Sequence, residues 1–229
     1  MSTEGDARGE VLSRLVSLIK HRLTRGSLRV AIDGIDAAGK TTLADELAVL
    51  LGDEGCAVLR ASIDGFHHPA SVRHLRGDLQ PAQSYYEDSF DYQALRGLLL
   101  DPLGPDGDHL VRNRVFDFRI DQSVEESPIR VRPRTALLFD GVFLLRPELE
   151  GCWDLSVFVQ VDPAVSLQRA LKRDVGLFGT RDAAERRYRE RYLPGQELYM
   201  SQMHPDQAAD VLIGNNDFTS PELLRIPPA

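Results

Sequence analysis

The chain has little of three features that would each have pointed to a particular class of protein. Its 229 residues include only two cysteines, Cys56 and Cys152, too few and too isolated for a disulfide framework or a zinc site. It has no apolar run of bilayer length and no secretory signal pattern, so we expect a cytoplasmic protein with no membrane partner. The formal net charge of −8 argues against a nucleic-acid partner but allows a small anionic ligand.

A glycine-rich segment is the most informative feature that is present. Residues 34–42 read GIDAAGKTT and fit G-x-x-x-x-G-K-T, the pattern of a loop that wraps the phosphates of a nucleotide. Backbone N–H groups and the positive end of the following helix converge on an anion in such a loop. We expect Lys40 to neutralise the terminal phosphates and Thr41 to hold magnesium. The nucleotide-binding candidates in the loop are Gly34, Ala37, Ala38, Gly39, Lys40, Thr41 and Thr42.

Apolar runs of strand length alternate with helical periodicities along the chain. Strands are predicted at 28–33, 57–63, 135–139, 155–161 and 211–213. Helices are predicted within 1–26, after the glycine-rich loop up to residue 52, and at 91–100, 163–176, 182–192 and 196–203. This alternation predicts an α/β fold with a doubly wound, mainly parallel sheet and helices on both faces. No linker divides residues 1–229, which favours a single domain.

Two aspartates followed by glycine, Asp64 and Asp140, end predicted strands. Ligands bind beyond the carboxyl ends of the strands in open α/β sheets, so both side chains are expected near the phosphate loop. Asp140 follows an apolar strand and fits the carboxylate that holds magnesium opposite Thr41. Asp64 fits the base that accepts the proton of a substrate hydroxyl and helps to order magnesium. The alternative for both is an ordinary Asp-Gly turn after a strand.

Arginines after the fourth predicted strand form a second group of candidates. Phosphoryl transfer requires cationic groups on a segment that can close over the phosphates. Arg169 and Arg173 share a helix face, and two glycines then precede Arg181, which indicates an arginine-containing lid over about residues 174–195. We expect Arg173 and Arg181 to contact the transferred phosphate. The alternative is a solvated basic helix paired with neighbouring acidic residues.

The order and spacing of these motifs resemble the phosphoribulokinase and uridine kinase family of P-loop small-molecule kinases. Besides the phosphate loop, the resemblance rests on residues 62–68, 85–91, 115–118, 138–141, 169–174 and 209–213. It implies the P-loop NTPase fold, ATP and Mg²⁺ as cofactors, Asp64 as the base and Arg173 as a lid arginine. It also implies that residues 209–216 lie near adenine, which adds Asn215 to the nucleotide-binding candidates.

The chain departs from the better-known uridine-cytidine kinases where a nucleoside is expected to bind. The pattern of those kinases has Tyr at the position of Phe116 and His at the position of Asp121. Both changes remove hydrogen-bonding groups expected to contact ribose and base. For several candidates, packing or solvation is the alternative to substrate contact. The substrate candidates are His67, His68, Tyr85, Tyr86, Phe116, Asp121 and Arg187.

These features together predict an ATP- and Mg²⁺-dependent kinase that phosphorylates a hydroxyl of a small molecule. The first expectation for the acceptor is the 5′-hydroxyl of a nucleoside, with uridine foremost. Nicotinamide riboside, pantothenate, and a sugar or sugar phosphate are alternatives within the same class. A P-loop ATPase that acts as a regulatory switch is the alternative from another class. The sequence leaves homo-oligomerisation and allosteric effectors open.

Overall fold

A six-stranded, mainly parallel sheet forms the centre of the computed structural model, which describes residues 4–23, 26–76 and 79–228. The strands in chain order are β1 (Leu28–Gly34), β2 (Ala57–Ser62), β3 (Leu110–Val111), β4 (Phe116–Asp117), β5 (Gln122–Ser123), β6 (Ile129–Arg130), β7 (Thr135–Gly141), β8 (Leu155–Gln160), β9 (Val211–Gly214) and β10 (Glu222–Arg225). The main sheet has the order β10-β9-β8-β1-β7-β2, and β10 alone pairs antiparallel within it. The predicted α/β fold with a mainly parallel sheet is confirmed.

Helices cover both faces of this sheet. They are α1 (Glu4–Arg22), α2 (Lys40–Asp53), α3 (Ala70–Arg73), α4 (Pro81–Asp88), α5 (Tyr92–Leu95), α6 (Pro163–Arg173), α7 (Val175–Phe178), α8 (Arg181–Arg187), α9 (Leu193–Met203) and α10 (Pro205–Ala208). Turns of 3₁₀-helix lie at Ile63–Phe66 and Pro147–Leu149, and π-helical turns lie at Arg96–Leu100 and Tyr188–Tyr192. Within the described ranges, no helix is both long and apolar enough to span a bilayer.

The central strands bury both faces, which explains their uninterrupted apolar sequences. Every residue of β1 and β7 is buried. Successive side chains of β1 point to opposite faces of the sheet. On one face, Val30 and Ile32 pack with α1 and α2 in one hydrophobic core. On the other face, Ala31 belongs to a second core, which contains Phe139 and Phe143. The two cores fix the sheet between helical layers and bring the carboxyl ends of β1, β7 and β2 side by side.

The structure differs from the predicted helices after β8. The predicted helix at 163–176 ends at Arg173, and a separate short helix, α7, follows. The two predicted helices at 182–192 and 196–203 instead form one helical run, because a π-helical turn joins α8 to α9. This wider turn precedes Pro194, which has no N–H to donate to the preceding turn. The predicted N-terminal helix corresponds to α1; residues 1–3, 24 and 25 lie outside the described part of the chain.

Candidate active site

The phosphate loop joins the carboxyl end of β1 to the first residue of α2. Gly34, Ala37 and Gly39 have φ values of +155°, +53° and +96°. A Cβ at Gly34 would lie 2.5 Å from the carbonyl oxygen of Val159, and a Cβ at Gly39 would lie 2.7 Å from Nδ2 of Asn215. Gly34 is therefore required by close backbone packing, and Gly39 by its left-handed conformation and by the Asn215 side chain packed against it. The 14-residue helix α2 directs its positive end toward this loop.

Lys40 lies inside the loop. Its Nζ donates a hydrogen bond to the carbonyl oxygen of Ile35 at 2.7 Å. Burial lowers the pKa of the Lys40 ammonium, and the carboxylates of Asp36 and Asp33 oppose that shift. The ammonium is thus held in the loop by a carbonyl that an incoming phosphate oxygen can replace.

Three oxygen-bearing side chains lie near the carboxyl ends of β1, β7 and β2. The Thr41 hydroxyl donates to Oδ2 of Asp140 at 2.7 Å, and Arg60 donates to Oδ1 of Asp140 at 2.9 Å. Asp64 lies in the 3₁₀ turn after β2 and is open to solvent. The pKa of Asp64 is raised because surrounding protein atoms displace part of its hydration and because Asp140 is a nearby negative charge.

This arrangement suits Mg²⁺ better than it suits a cation whose ligands all come from the protein. Among the described residues, no group of three or more His, Cys, Asp or Glu side chains forms a ready-made metal site. Mg²⁺ is bound through one or two carboxylates together with water and substrate phosphates. The oxygens of Thr41, Asp140 and Asp64 are the donors that would hold it here.

Two buried polar atoms without protein partners lie beside the phosphate loop. Asn215 donates to the carbonyl oxygen of Ala38 at 2.6 Å, whereas its Oδ1 has no partner among the described residues. Arg169 donates through Nη2 to the carbonyl oxygen of Asn216, and its buried Nη1 is likewise unpartnered within that part of the chain. Buried polar groups normally have partners, so an orphan acceptor and an orphan donor fit a ligand that supplies both, as a nucleotide does. The sequence predicted that Arg169 and Arg173 share a helix face, but it did not indicate that Arg169 lies beside the phosphate loop.

The lid arginines differ in their surroundings. Arg173 donates to both carboxylate oxygens of Asp174, at 2.7 and 2.9 Å, and the Tyr188 hydroxyl also donates to Asp174. The positive charge of Arg173 lowers the pKa values of Asp36 and Asp64. Arg181 begins α8, is exposed, and has no hydrogen-bond or ion-pair partner in the described ranges. Pairing with a neighbouring acid thus occurs at Arg173, whereas Arg181 is solvated.

The histidine candidates lie on the segment that follows Asp64. The His67 ring contacts the rings of Phe90 and Phe118, with centroid separations of 4.6 and 4.7 Å, and its Nδ1 is 3.1 Å from the carbonyl oxygen of Asp64. Burial lowers the pKa of His67 to about 4, so the ring is neutral near pH 7. The backbone of His68 accepts a hydrogen bond from Arg73 at 2.7 Å. His67 therefore supports the turn that carries Asp64.

The aromatic candidates are buried in the core. Tyr85 packs against Phe143 and Tyr192 with centroid separations of 5.1 and 4.8 Å. Tyr86 and Phe116 are also buried, and Arg146 lies 4.2 Å above the Tyr86 ring. For the two tyrosines this is the packing alternative raised by the sequence.

Two charged candidates are engaged by neighbouring protein groups. Oδ1 of Asp121 accepts hydrogen bonds from the backbone N–H of Ala70 and from Nη2 of Arg73, both at 2.9 Å. The guanidinium of Arg187 lies 6.0 Å from the ring centroid of Tyr192. Asp121 thereby fixes the start of α3 over a separation of 51 residues, which local sequence patterns do not indicate.

Comparison with known proteins agrees with this geometry. No family model matches the chain. A uridine kinase from Clostridium botulinum (strain Langeland) is 26% identical over 189 residues, which cover 80% of this chain and 86% of the relative. A possible uridine kinase from Bacillus stearothermophilus superposes with a TM-score of 0.68 at 23% identity, over 89% of this chain and 98% of the other. The chain is similar in sequence and in fold to uridine kinases. The resemblance to uridine kinases that its motifs predicted is thereby confirmed.

A further structural neighbour broadens the range of acceptors to consider. A protein from Silicibacter sp. TM1040, assigned provisionally as a fructose transport system kinase, superposes with a TM-score of 0.69 at 25% identity. That alignment covers 83% of this chain and 94% of the other. The shared fold thus occurs in proteins named for different acceptors.

Proposed function

We propose that this protein transfers the γ-phosphate of ATP to a hydroxyl of a small molecule, with the 5′-hydroxyl of a nucleoside, uridine first, as the leading acceptor. The observation that carries the proposal is the convergence of Lys40, Thr41 and Asp140 with the solvent-open carboxylate of Asp64. A nucleotide loop alone serves many ATPases, whereas a carboxylate beside it can accept the proton of an acceptor hydroxyl. Similarity to uridine kinases supports the nucleoside as acceptor.

Each residue has a distinct part in this proposal. Asp64 accepts the proton of the attacking hydroxyl, and its raised pKa makes the carboxylate a stronger base than a fully hydrated aspartate. Lys40 and Arg173 neutralise charge on the transferred phosphate, with Arg181 as a second lid arginine. Thr41, Asp140 and Asp64 would hold Mg²⁺, which would supply positive charge to neutralise the phosphates. The nucleotide lies along residues 34–42 with Asn215 beside it.

We further infer that residues 1–229 form one kinase domain with residues 174–195 as its lid. Gly179 ends α7 with φ at +81° in open space, a backbone state that suits a hinge. The rest of the proposal is a cytoplasmic enzyme with a small-molecule substrate and no nucleic-acid partner, in keeping with its net charge of −8. Homo-oligomerisation is compatible with this arrangement.

A sugar is the second candidate acceptor, favoured by the neighbour named as a fructose transport system kinase. The burial of Phe116 and the engagement of Asp121 by Arg73 leave fewer groups for contact with a pyrimidine than the family pattern suggests. Nicotinamide riboside, pantothenate and sugar phosphates remain alternatives. A regulatory P-loop ATPase is the alternative from another class.

A panel of acceptors separates these functions. ADP release is measured with Mg-ATP and uridine, cytidine, purine nucleosides, nicotinamide riboside, pantothenate, simple sugars or a sugar phosphate. We expect one nucleoside to stand well above the rest, because a site built around the polar groups of its substrate rejects analogues that lack them. Turnover of another compound with every nucleoside inert would refute the nucleoside assignment. ADP release at one rate with or without any acceptor would refute the kinase.

A further inference from the structure

The phosphate loop contains an acidic residue, Asp36, although the loop binds an anion. Burial raises the pKa of the Asp36 carboxyl, the charges of Lys40 and Arg173 lower it, and the charge of Asp64 raises it. Asp36 directly follows Ile35, whose carbonyl oxygen accepts a hydrogen bond from the Lys40 ammonium at 2.7 Å, so Asp36 belongs to the part of the loop expected to surround the transferred phosphate. A negative charge there opposes the binding of ATP, so its position needs another explanation.

Two helices hold Asp36 in one orientation. Gln196 on α9 donates through Nε2 to Oδ2 of Asp36 at 2.7 Å, and Oε1 of Gln196 accepts from the backbone N–H of Asp36 at 3.4 Å. The hydroxyl of Ser166 on α6 donates to the Asp36 carbonyl oxygen at 2.7 Å. Gln196 is 3% exposed and Ser166 is fully buried, so both partners are fixed by the core. Oδ1 of Asp36 accepts no hydrogen bond from any described residue.

A role in balancing the charge of Lys40 does not require this clamp. The Lys40 ammonium already donates to the carbonyl oxygen of Ile35, and Asp33 and Asp140 also lie close enough to raise its pKa. A carboxylate held by one oxygen, with the other left free, is instead suited to accept a hydrogen bond from a ligand. The transferred phosphate has no donor to offer. The acceptor molecule does.

We propose that Asp36 is a specificity-determining residue whose free Oδ1 accepts a hydrogen bond from a second hydroxyl or amino group of the acceptor. The inference rests on the proposed function, in which Asp64 takes the proton of the reacting hydroxyl. Two carboxylates that face one acceptor select a molecule with at least two donor groups. Polyols such as sugars and the ribose of nucleosides belong to this class, as do amino alcohols. Gln196 is a positioning residue that orients the carboxylate.

The test compares Asp36→Ala and Asp36→Asn with the wild type and with Asp106→Asn, an exposed aspartate outside the site. ATP affinity is measured by titration, and acceptor KM and kcat by ADP release with the best acceptor of the panel. In Asp36→Asn the side-chain oxygen can keep the bond from Gln196, and an NH₂ group then replaces the free Oδ1. We expect acceptor KM to rise about 10- to 100-fold in both variants, the range for a lost bond to a charged group, with ATP affinity unchanged or higher because a negative charge beside the phosphates is removed.

Deoxy and deamino analogues of the acceptor complete the test. On the wild type, the analogue that lacks the contacted group should have a KM higher than that of the full acceptor by about the same factor. On Asp36→Ala, the analogue and the full acceptor should have the same KM. Unchanged acceptor KM in a folded variant, or a loss confined to ATP affinity, would overturn the inference while leaving the kinase intact. If Asp36→Ala does not fold, the acceptor KM of Asp36→Asn and the analogue series on the wild type test the inference. A wild type that phosphorylates nothing in the panel would overturn the proposed function and this inference together.

Discussion

Removal of the Tyr199 hydroxyl should destabilise the protein more at neutral pH than at acidic pH. Tyr199 on α9 donates to the carboxylate of Asp33, which is fully buried in β1 directly before the phosphate loop. Asp33 accepts two further hydrogen bonds, from the N–H of Gly34 at 2.7 Å and of Leu144 at 3.2 Å. Burial raises the pKa of Asp33 to about 6, and the Tyr199 bond counteracts that rise.

The expected magnitude follows from these contacts. In Tyr199→Phe the ring remains and one donor to a buried carboxylate is lost, which costs about 1–3 kcal/mol in the free energy of unfolding. The loss raises the pKa of Asp33 further. The penalty is therefore full above the pKa that Asp33 has in the variant and declines as the pH falls from that value to about 6. Its charge-dependent part is lost below about pH 6, where the carboxyl is protonated in both folded proteins. A smaller part remains at low pH, because the N–H of Leu145 also loses its bond to the Tyr199 hydroxyl.

Urea unfolding at pH 7.5 and pH 5 provides the assay. Tyr86→Phe is the matched control, since the Tyr86 ring is buried in the same aromatic cluster but its hydroxyl contacts no carboxylate among the described residues. Its effect should be small and equal at both pH values. A Tyr199→Phe penalty of equal size at both pH values would refute the reasoning, because the Asp33 carboxylate would then not be the charged partner of Tyr199.

Four further substitutions test the proposed machinery. Lys40→Ala should abolish acceptor-dependent ADP release while circular dichroism shows a folded protein, since backbone donors cannot replace a full charge at the phosphates; wild-type turnover would refute the loop assignment. Asp64→Asn should lower single-turnover chemistry by about 10²- to 10⁴-fold with little change in ATP affinity, and wild-type activity should fall as the pH drops through the raised pKa of Asp64. Arg173→Gln should reduce kcat more than Arg181→Gln does. A larger reduction in Arg181→Gln would assign the contact with the transferred phosphate to Arg181 instead.

The elements that the sequence predicted well are those whose burial is encoded locally. The strands β1 and β7 are buried on both faces, so each appears as an uninterrupted apolar run. The phosphate loop is fixed by glycines whose conformation and packing admit no side chain. The edge strand β10 was not predicted, because its four residues alternate between exposed and half-buried and leave no comparable run.

The parts that the sequence could not provide depend on contacts between distant residues. The clamp of Gln196 on Asp36 joins residues 160 positions apart, and the bond between Tyr199 and Asp33 spans 166. The periodicity of apolar residues predicts which helix face a side chain lies on, but it does not identify the residue that the side chain contacts. For the same reason Tyr85, which begins the 85–91 segment, could not be assigned from sequence to the core or to the pocket.

The fate of the γ-phosphate tests the central claim most directly. Phosphorus NMR of Mg-ATP with the wild-type protein and the best acceptor of the panel distinguishes ADP, inorganic phosphate and the phosphorylated acceptor. We predict that ADP and a phosphate ester of the acceptor appear in equal amounts, and that neither forms at an appreciable rate when the acceptor is omitted. Accumulation of ADP and inorganic phosphate at the same rate with or without the acceptor would contradict the account.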